Sequence, residues 1–80
     1  MIKMVTAFVL IVSESGAERK IVDELASQSG IEEAELVYGE YDIVAKVNVE
    51  DVSGLSDFIL EKIRPILGVK RTSTLVVATE

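Results

Sequence analysis

The sequence predicts an α+β domain in which four antiparallel strands form one sheet and two helices cover one of its faces. Three observations support this prediction. The chain contains two successive strand–helix–strand units, one on each side of Gly39-Glu40. Such crossovers join parallel strands and are right-handed almost without exception. Gly39-Glu40 is typical of a hairpin turn, and the first strand is apolar throughout, which places it inside the sheet.

Residues 3–12 are predicted to form this first, central strand. Met4–Val12 is rich in β-branched and aromatic residues and contains one polar residue, Thr6. An uninterrupted apolar run indicates burial on both faces. Nine residues are too few to span a bilayer, which needs ~20. Glu14 and Glu18 occupy the region where a signal-peptide cleavage site would lie. We therefore expect a cytoplasmic protein with no membrane partner.

The first helix is predicted to follow Ser13–Gly16. Ser15 and Glu18 have the spacing of a capping box, in which each side chain accepts a hydrogen bond from the other residue's backbone N–H. The apolar residues recur at helical spacing: Ala17, Ile21, Val22 and Leu25. Ser29-Gly30 is the predicted end of the helix, since glycine readily adopts the left-handed conformation needed there.

Residues 31–38 and 41–49 are predicted to form a hairpin around Gly39-Glu40, a two-residue type II′ turn. Paired residue numbers then sum to 79, which sets Glu33 against Lys46 as a cross-strand ion pair. One face is apolar and is expected to lie under the helices: Ala34, Leu36, Tyr38, Tyr41, Ile43, Ala45 and Val47. The opposite face is predicted to consist of Glu33, Glu35, Val37, Asp42, Val44, Lys46 and Asn48.

The second helix is predicted over residues 52–64, with Asp51 as its N-cap and Pro65 ending it. Its apolar stripe is Val52, Leu55, Phe58, Ile59 and Ile63. Residues 69–79 form the last strand. There we expect Val69, Leu75 and Val77 to face the helices, and Thr72, Thr74, Val76 and Ala78 to lie on the open face. The resulting architecture is a ferredoxin-like βαββαβ sandwich with strand order 4-1-3-2.

The composition indicates a single domain, residues 1–80, that assembles. A chain of this size buries only about 60–65% of its unfolded surface, yet 49% of its residues are hydrophobic. The predicted open face has an aliphatic centre with polar residues around it, which is typical of an interface. We therefore expect two sheets to pack face to face in a dimeric αβ barrel.

The same composition excludes several functions. The sequence has neither cysteine nor histidine, so it cannot form a Cys/His zinc site or use a histidine base, and we expect no metal or cofactor. No pair of carboxylates is placed for acid–base chemistry, so we do not expect an enzyme. With 8 basic and 14 acidic residues and a net charge of −6, direct nucleic-acid binding is not expected either.

At two places the chain resembles the ligand-sensing domain of Lrp/AsnC regulators. Gly39-Glu40-Tyr41-Asp42 is similar to that domain's Gly-x-Tyr-Asp segment, and Thr72-Ser73-Thr74 is similar to its Thr-x-Thr final strand. The element order over residues 3–79 agrees. Family members normally carry an N-terminal helix-turn-helix domain, whereas this chain begins at the sensing domain and so resembles the stand-alone members.

The resemblance implies a domain that binds an amino-acid effector and modulates transcription or amino-acid metabolism through assembly. It implies dimers that associate into even-numbered rings, often octamers, and hetero-assembly with full-length regulators. The ligand-binding residues it implies are Gly39, Glu40, Tyr41, Asp42, Thr72 and Thr74. The alternatives are a structural adaptor that binds no ligand, or a cofactor-independent enzyme of the dimeric αβ-barrel type.

The residues themselves leave some of these roles open. Asp42 lies where strand residues are expected, and its carboxylate needs a partner: a ligand ammonium, solvent or a backbone amide. Gly39 is explained by the turn, although its amide can also meet a ligand. Tyr38 and Tyr41 are expected to pack at the helix-covered end. Thr72 and Thr74 are either solvated residues of an edge strand or ligand contacts.

Overall fold

The computed structural model describes residues 4–78 as a four-stranded antiparallel sheet with the helices on one face. The strand order is β2-β3-β1-β4, which is the predicted 4-1-3-2 order read from the other edge. The strands are β1 (Val5–Ser13), β2 (Ile31–Leu36), β3 (Ile43–Val49) and β4 (Val69–Val76), and the helices are α1 (Glu18–Ala26) and α2 (Val52–Phe58). Within residues 4–78, neither helix is long and apolar enough to cross a membrane.

The core lies between the helices and the two central strands. Alternate residues of β1 and β3 point into it, and their side chains are fully buried: Ala7, Val9, Ile11, Ile43, Ala45 and Val47. The helical layer meets them with five further buried residues: Ile21, Leu25, Leu55, Ile63 and Ile66. The central position predicted for β1 is confirmed, since it pairs with both β3 and β4.

The predicted capping box at the start of α1 is wrong. The helix begins at Glu18, its N-cap position is Ala17, and no side chain caps it. The Glu18 carboxylate instead accepts a hydrogen bond from the Gly16 backbone N–H at 3.1 Å, so Ser15 has no capping role. The helix ends at Ala26 with Ser27 as its C-cap, before the predicted end at Ser29-Gly30, although Gly30 does have the positive φ expected of it, 100°.

The second helix begins as predicted, because an Asp51 carboxylate oxygen accepts a hydrogen bond from the Gly54 N–H at 2.6 Å. After Phe58 it widens into a π-helical segment, Ile59–Ile63, in which the Arg64 N–H donates to the Ile59 carbonyl. This segment ends two residues before Pro65, and its last residue, Ile63, is buried in the core. Val52 was expected in the apolar stripe but is largely exposed.

The predicted pairing of β2 with β3 is confirmed: Glu33 lies opposite Lys46, and Glu35 lies opposite Val44. An irregularity between Ile31 and Glu33 shifts the register, and Glu32 is the additional residue. The Lys46 ammonium pairs with the Glu32 carboxylate at 3.2 Å. The predicted Glu33–Lys46 ion pair is therefore replaced by one with the bulged neighbour.

The turn between β2 and β3 is wider than the predicted two-residue type II′ turn. The strands close with a hydrogen bond from the Val37 N–H to the Asp42 carbonyl at 2.9 Å, which leaves residues 38–41 as the loop. Gly39 has the predicted positive φ, 126°. Tyr38 is fully exposed, contrary to its predicted packing under the helices, whereas Tyr41 is half-buried. Leu36 is also more exposed than predicted.

A β-bulge reverses the predicted faces of β4 beyond Lys70, whereas Val69 packs against the core as predicted. Ser13 pairs with Val69 but Val12 pairs with Arg71, so Lys70 is an extra residue in β4. Because side chains alternate along a strand, one inserted residue moves all later residues to the opposite face. Thr72 and Thr74 thus lie opposite the buried Ile11 and Val9, on the helix side. The helix-free side receives Arg71, Ser73, Leu75 and Val77.

Gly68, which precedes β4, allows a close contact with α1. Its φ is 101°, and a Cβ added there would lie 2.7 Å from the Ala17 Cβ. Gly16 has a similar φ of 89° but nothing within 4 Å of such an atom. We expect Gly68→Ala to lower the free energy of unfolding by about 2–4 kcal/mol, since it adds overpacking to backbone strain.

The matched variant Gly16→Ala introduces only the backbone strain, which costs about 1–2 kcal/mol. Urea unfolding of both variants measures the difference. Equal losses of stability in the two variants would contradict the proposed contact between Gly68 and α1.

Candidate functional site

Asp42 lies just before β3 and is held by two hydrogen bonds to the end of β1. Its backbone N–H donates to the Ile11 carbonyl at 2.9 Å, and its carboxylate oxygen Oδ2 accepts from the backbone N–H of Ser13, also at 2.9 Å. Ser13 is buried, so this bond satisfies an amide that water reaches poorly. Of the partners considered from sequence, a backbone amide is the one present within the chain. The other oxygen, Oδ1, accepts no hydrogen bond from residues 4–78.

A pocket of about 400 Å³ adjoins Asp42. It lies between the first turn of α1 and the end of β2, and its walls combine opposite charges with apolar surface. Its lining residues are Glu18, Arg19, Leu36, Val37, Tyr38 and Asp42. The site thus offers two carboxylates and one guanidinium beside aliphatic and aromatic side chains.

Arg19 and Glu18 are members of this pocket that sequence reasoning missed. Both lie on the polar side of a helical pattern, where solvent exposure is the ordinary expectation. Their proximity to Asp42 arises from the packing of α1 beside β2, and α1 is well separated from Asp42 in the chain. No local sequence signal indicates it.

The remaining residues of the predicted site fall into two groups. Gly39 and Glu40 are exposed bends at the loop tip, and Tyr41 is half-buried beside Asp42. Thr72 and Thr74 are half-buried in β4, at the opposite edge of the sheet, with β1 and β3 in between. A single chain therefore brings Gly39–Asp42 together but leaves the two threonines apart from them.

The second notable surface is the side of the sheet that carries no helix, which we call the helix-free face. Its apolar members come from β1, β3, β4 and the chain just after β4: Phe8, Leu10, Val12, Val44, Leu75 and Val77. Two polar pairs lie beside them. The Thr6 hydroxyl donates to Asn48 Oδ1 at 2.7 Å, and Lys46 is paired with Glu32. An apolar centre with polar residues around it is typical of an interface.

Comparison with known proteins agrees with this architecture. A family model described as the Lrp/AsnC ligand binding domain matches residues 6–80. An uncharacterized HTH-type transcriptional regulator of Pyrococcus abyssi (strain GE5 / Orsay) is 35% identical over 75 residues, which are 94% of this chain and 48% of the regulator. The chain thus spans about half the length of the curated relatives it matches.

Solved structures give the same result. A hypothetical protein from Pyrococcus horikoshii is 41% identical, with a TM-score of 0.88, over 95% of this chain and 92% of the other. A transcriptional regulator of Neisseria meningitidis, solved as a complex with L-Met, has a TM-score of 0.86 over 95% of this chain and 51% of its own. At 18% identity, that likeness concerns the fold alone. The family match and the relatives show that this chain belongs to the Lrp/AsnC ligand binding domain family.

Proposed function

We propose that this domain binds a small zwitterionic effector, an amino acid, beside Asp42 and links its binding to assembly of the protein. The observation that supports this most directly is the pocket between α1 and β2, where carboxylates and a guanidinium lie beside apolar walls. A free amino acid carries one ammonium, one carboxylate and one variable side chain. The pocket has a complementary group for each of them.

Each contact follows from ordinary charge complementarity. Asp42 Oδ1, which takes no hydrogen bond from residues 4–78, can accept one from the α-ammonium, with Glu18 as a second anion nearby. Arg19 can bind the α-carboxylate through two parallel N–H bonds. Leu36, Val37 and Tyr38 then meet the effector side chain. The Gly39–Tyr41 loop borders this arrangement, and Gly39 permits close approach because nothing lies within 4 Å of its missing Cβ.

The relatives support the same class of ligand. The matching family model is described as ligand binding, and the regulator from Neisseria meningitidis was crystallised with L-Met. Curated relatives are named as transcriptional regulators rather than as enzymes. We therefore place this domain in effector-dependent regulation of transcription, acting through assembled chains, including hetero-assemblies with longer regulators, without contacting DNA itself.

Assembly is proposed to occur through the helix-free face. Leu75 and Val77 are exposed there, although both are strongly hydrophobic. Covering them with the same face of a second copy gives a dimeric αβ barrel, and such dimers can associate further into an even-numbered oligomer. An effector shifts this assembly when it binds one association state more tightly than another. The two threonines of β4 lie on the helix side, so they are candidates for contacts between dimers and not for contacts across the sheet interface.

One observation favours a second candidate function, a structural adaptor without a ligand. Asp42 already has a partner within the chain, the Ser13 amide, and this bond gives its carboxylate a purely structural role. In that case the pocket is an ordinary surface depression. The following two experiments distinguish the candidates.

Calorimetric titration of the protein with each of the twenty amino acids should identify one or a few that bind. Arg19→Gln should weaken that binding at least tenfold, which is about 1.4 kcal/mol, because it removes the charge opposite the ligand carboxylate. Arg64→Gln is the matched control, since Arg64 is exposed and does not line the pocket. If no amino acid binds at millimolar concentration, the adaptor function replaces the sensor.

Substitution of Asp42 by two different residues should separate its structural role from its binding role. Asp42→Ala removes the acceptor for the buried Ser13 amide and should lower the free energy of unfolding by about 1–3 kcal/mol. Asp42→Asn keeps an acceptor oxygen but removes the charge, so it should retain most of the stability while losing effector affinity. Thermal unfolding and calorimetry measure the two effects.

Asp23→Asn, a change of an exposed carboxylate on α1, controls for the loss of one negative charge. Effector affinity in Asp42→Asn that equals the wild-type value would contradict a role for this carboxylate in binding.

A further inference from the structure

The pocket beside Asp42 carries more negative than positive charge. Its charged groups are the carboxylates of Glu18 and Asp42 and the guanidinium of Arg19, two negative groups against one positive. Within residues 4–78 the one ion pair is that of Lys46 with Glu32, so Arg19 forms no salt bridge with either carboxylate of the pocket. A ligand that matches all three groups must therefore bring one more positive charge than negative.

An amino acid with an uncharged side chain leaves one of these groups unmatched. In the proposed function its α-ammonium is bound by Asp42 and its α-carboxylate by Arg19. Glu18 then remains at the wall of a pocket from which the ligand has displaced water. A charged group that loses water without gaining a partner raises the free energy of the complex. The charge balance thus favours a ligand with a second cationic group.

Glu18 is placed to bind such a cation. It is the first residue of α1, and it is half-buried. Its Oε1 accepts a hydrogen bond from the Gly16 backbone N–H at 3.1 Å, which holds the carboxylate at the start of the helix. Its Oε2 accepts no hydrogen bond from residues 4–78. This second oxygen can therefore accept a charge-assisted hydrogen bond from a ligand.

The apolar wall of the pocket fits the stem of a basic side chain. Leu36 and Val37 contribute aliphatic surface, and Tyr38 contributes an aromatic ring. The methylene stems of basic side chains pack along apolar surface while their charged ends remain at its border. The face of an aromatic ring also attracts a cation. A purely apolar ligand side chain can use the same wall, but it leaves Glu18 without a partner.

We propose that the effector is an α-amino acid with a second positive charge at the end of an apolar stem, as in lysine, ornithine and arginine, and that Glu18 selects it. This inference rests on the proposed function, because it keeps the contacts of Asp42 and Arg19 with the α-ammonium and the α-carboxylate. It adds a third contact, to the side chain. An acidic amino acid is disfavoured by the same charge balance, since it brings a second negative charge to the pocket.

Calorimetry with pairs of ligands that differ in one group tests this assignment. Norleucine has the stem of lysine without the terminal ammonium, and citrulline has the shape of arginine without its charge. The wild-type protein should bind each basic ligand at least about tenfold more tightly than its neutral counterpart, as expected for a hydrogen bond between charged groups. Cadaverine has both ammonium groups of lysine but no carboxylate, so it should bind more weakly than lysine because Arg19 is then unmatched.

Substitution of Glu18 tests the residue that makes the selection. Glu18→Gln removes the charge but keeps an oxygen that can accept from the Gly16 N–H, so the variant should fold and lose most of its preference for lysine over norleucine. Glu24→Gln is the matched control, because it makes the same change at an exposed residue of α1 that does not line this pocket. Its preference for lysine should equal that of the wild-type protein, and thermal unfolding verifies that both variants are folded.

The outcomes separate this inference from the proposed function. If neutral amino acids bind the wild-type protein as tightly as basic ones, or if Glu18→Gln keeps the preference for lysine, the inference is wrong while amino-acid binding stands. Cadaverine that binds as tightly as lysine would also overturn it, since a diamine would then suffice. If no amino acid binds, basic or neutral, the proposed function fails together with the inference.

Discussion

Helices cover only one face of this sheet, and most other features of the molecule depend on that constraint. Two short helices bury alternate residues of the two central strands completely, Val9 and Ala45 among them. The residues between them, such as Phe8 and Leu10, are equally apolar but remain only half-buried. Among the elements that the structure describes over residues 4–78, none covers them. The surface that remains is flat, apolar and bounded by charges, which makes a second copy of the chain the natural cover.

Two bulges decide which side chains reach each face. The additional Glu32 in β2 brings a carboxylate to the Lys46 ammonium. The additional Lys70 in β4 sends Arg71 to the helix-free face and the threonines to the other. Bulges re-aim side chains without breaking a sheet. In this domain, one of them determines both the charge at the proposed dimer interface and the side on which the Thr-x-Thr strand presents its hydroxyls.

Much of the fold follows from local features of the sequence. The unbroken apolar run of β1 indicates its central position, Asp51 indicates the start of α2, and Gly39 indicates the positive φ of the hairpin loop, all of which the structure has. The pairing of Glu35 with Val44 also follows from the alternation of the two strands. These features depend on neighbouring residues or on a period of two, so pattern analysis detects them.

The remaining features depend on tertiary geometry. An inserted residue such as Lys70 leaves no trace in hydrophobic alternation, because Leu75 and Val77 suit either face of the sheet. By strand alternation, Tyr38 should point towards the helices. The strand ends before Tyr38, however, and its side chain is exposed in the widened loop. Arg19 reaches the pocket through the packing of α1 beside β2. Because this packing leaves no local signal, the sequence predicts a site around Asp42 but does not include Arg19, which supplies the positive charge.

The hydrogen bonds at the hairpin end of the sheet connect Asp42, the end of β1 and the start of β4. Asp42 is hydrogen-bonded to Ile11 and Ser13 at the end of β1. The backbone N–H of the next residue, Glu14, donates to the Gly68 carbonyl at 2.7 Å, just before β4 begins. These bonds join the residue before β3 and the residue before β4 to the same end of β1. The placement of Asp42 and the entry into the last strand therefore share one anchor.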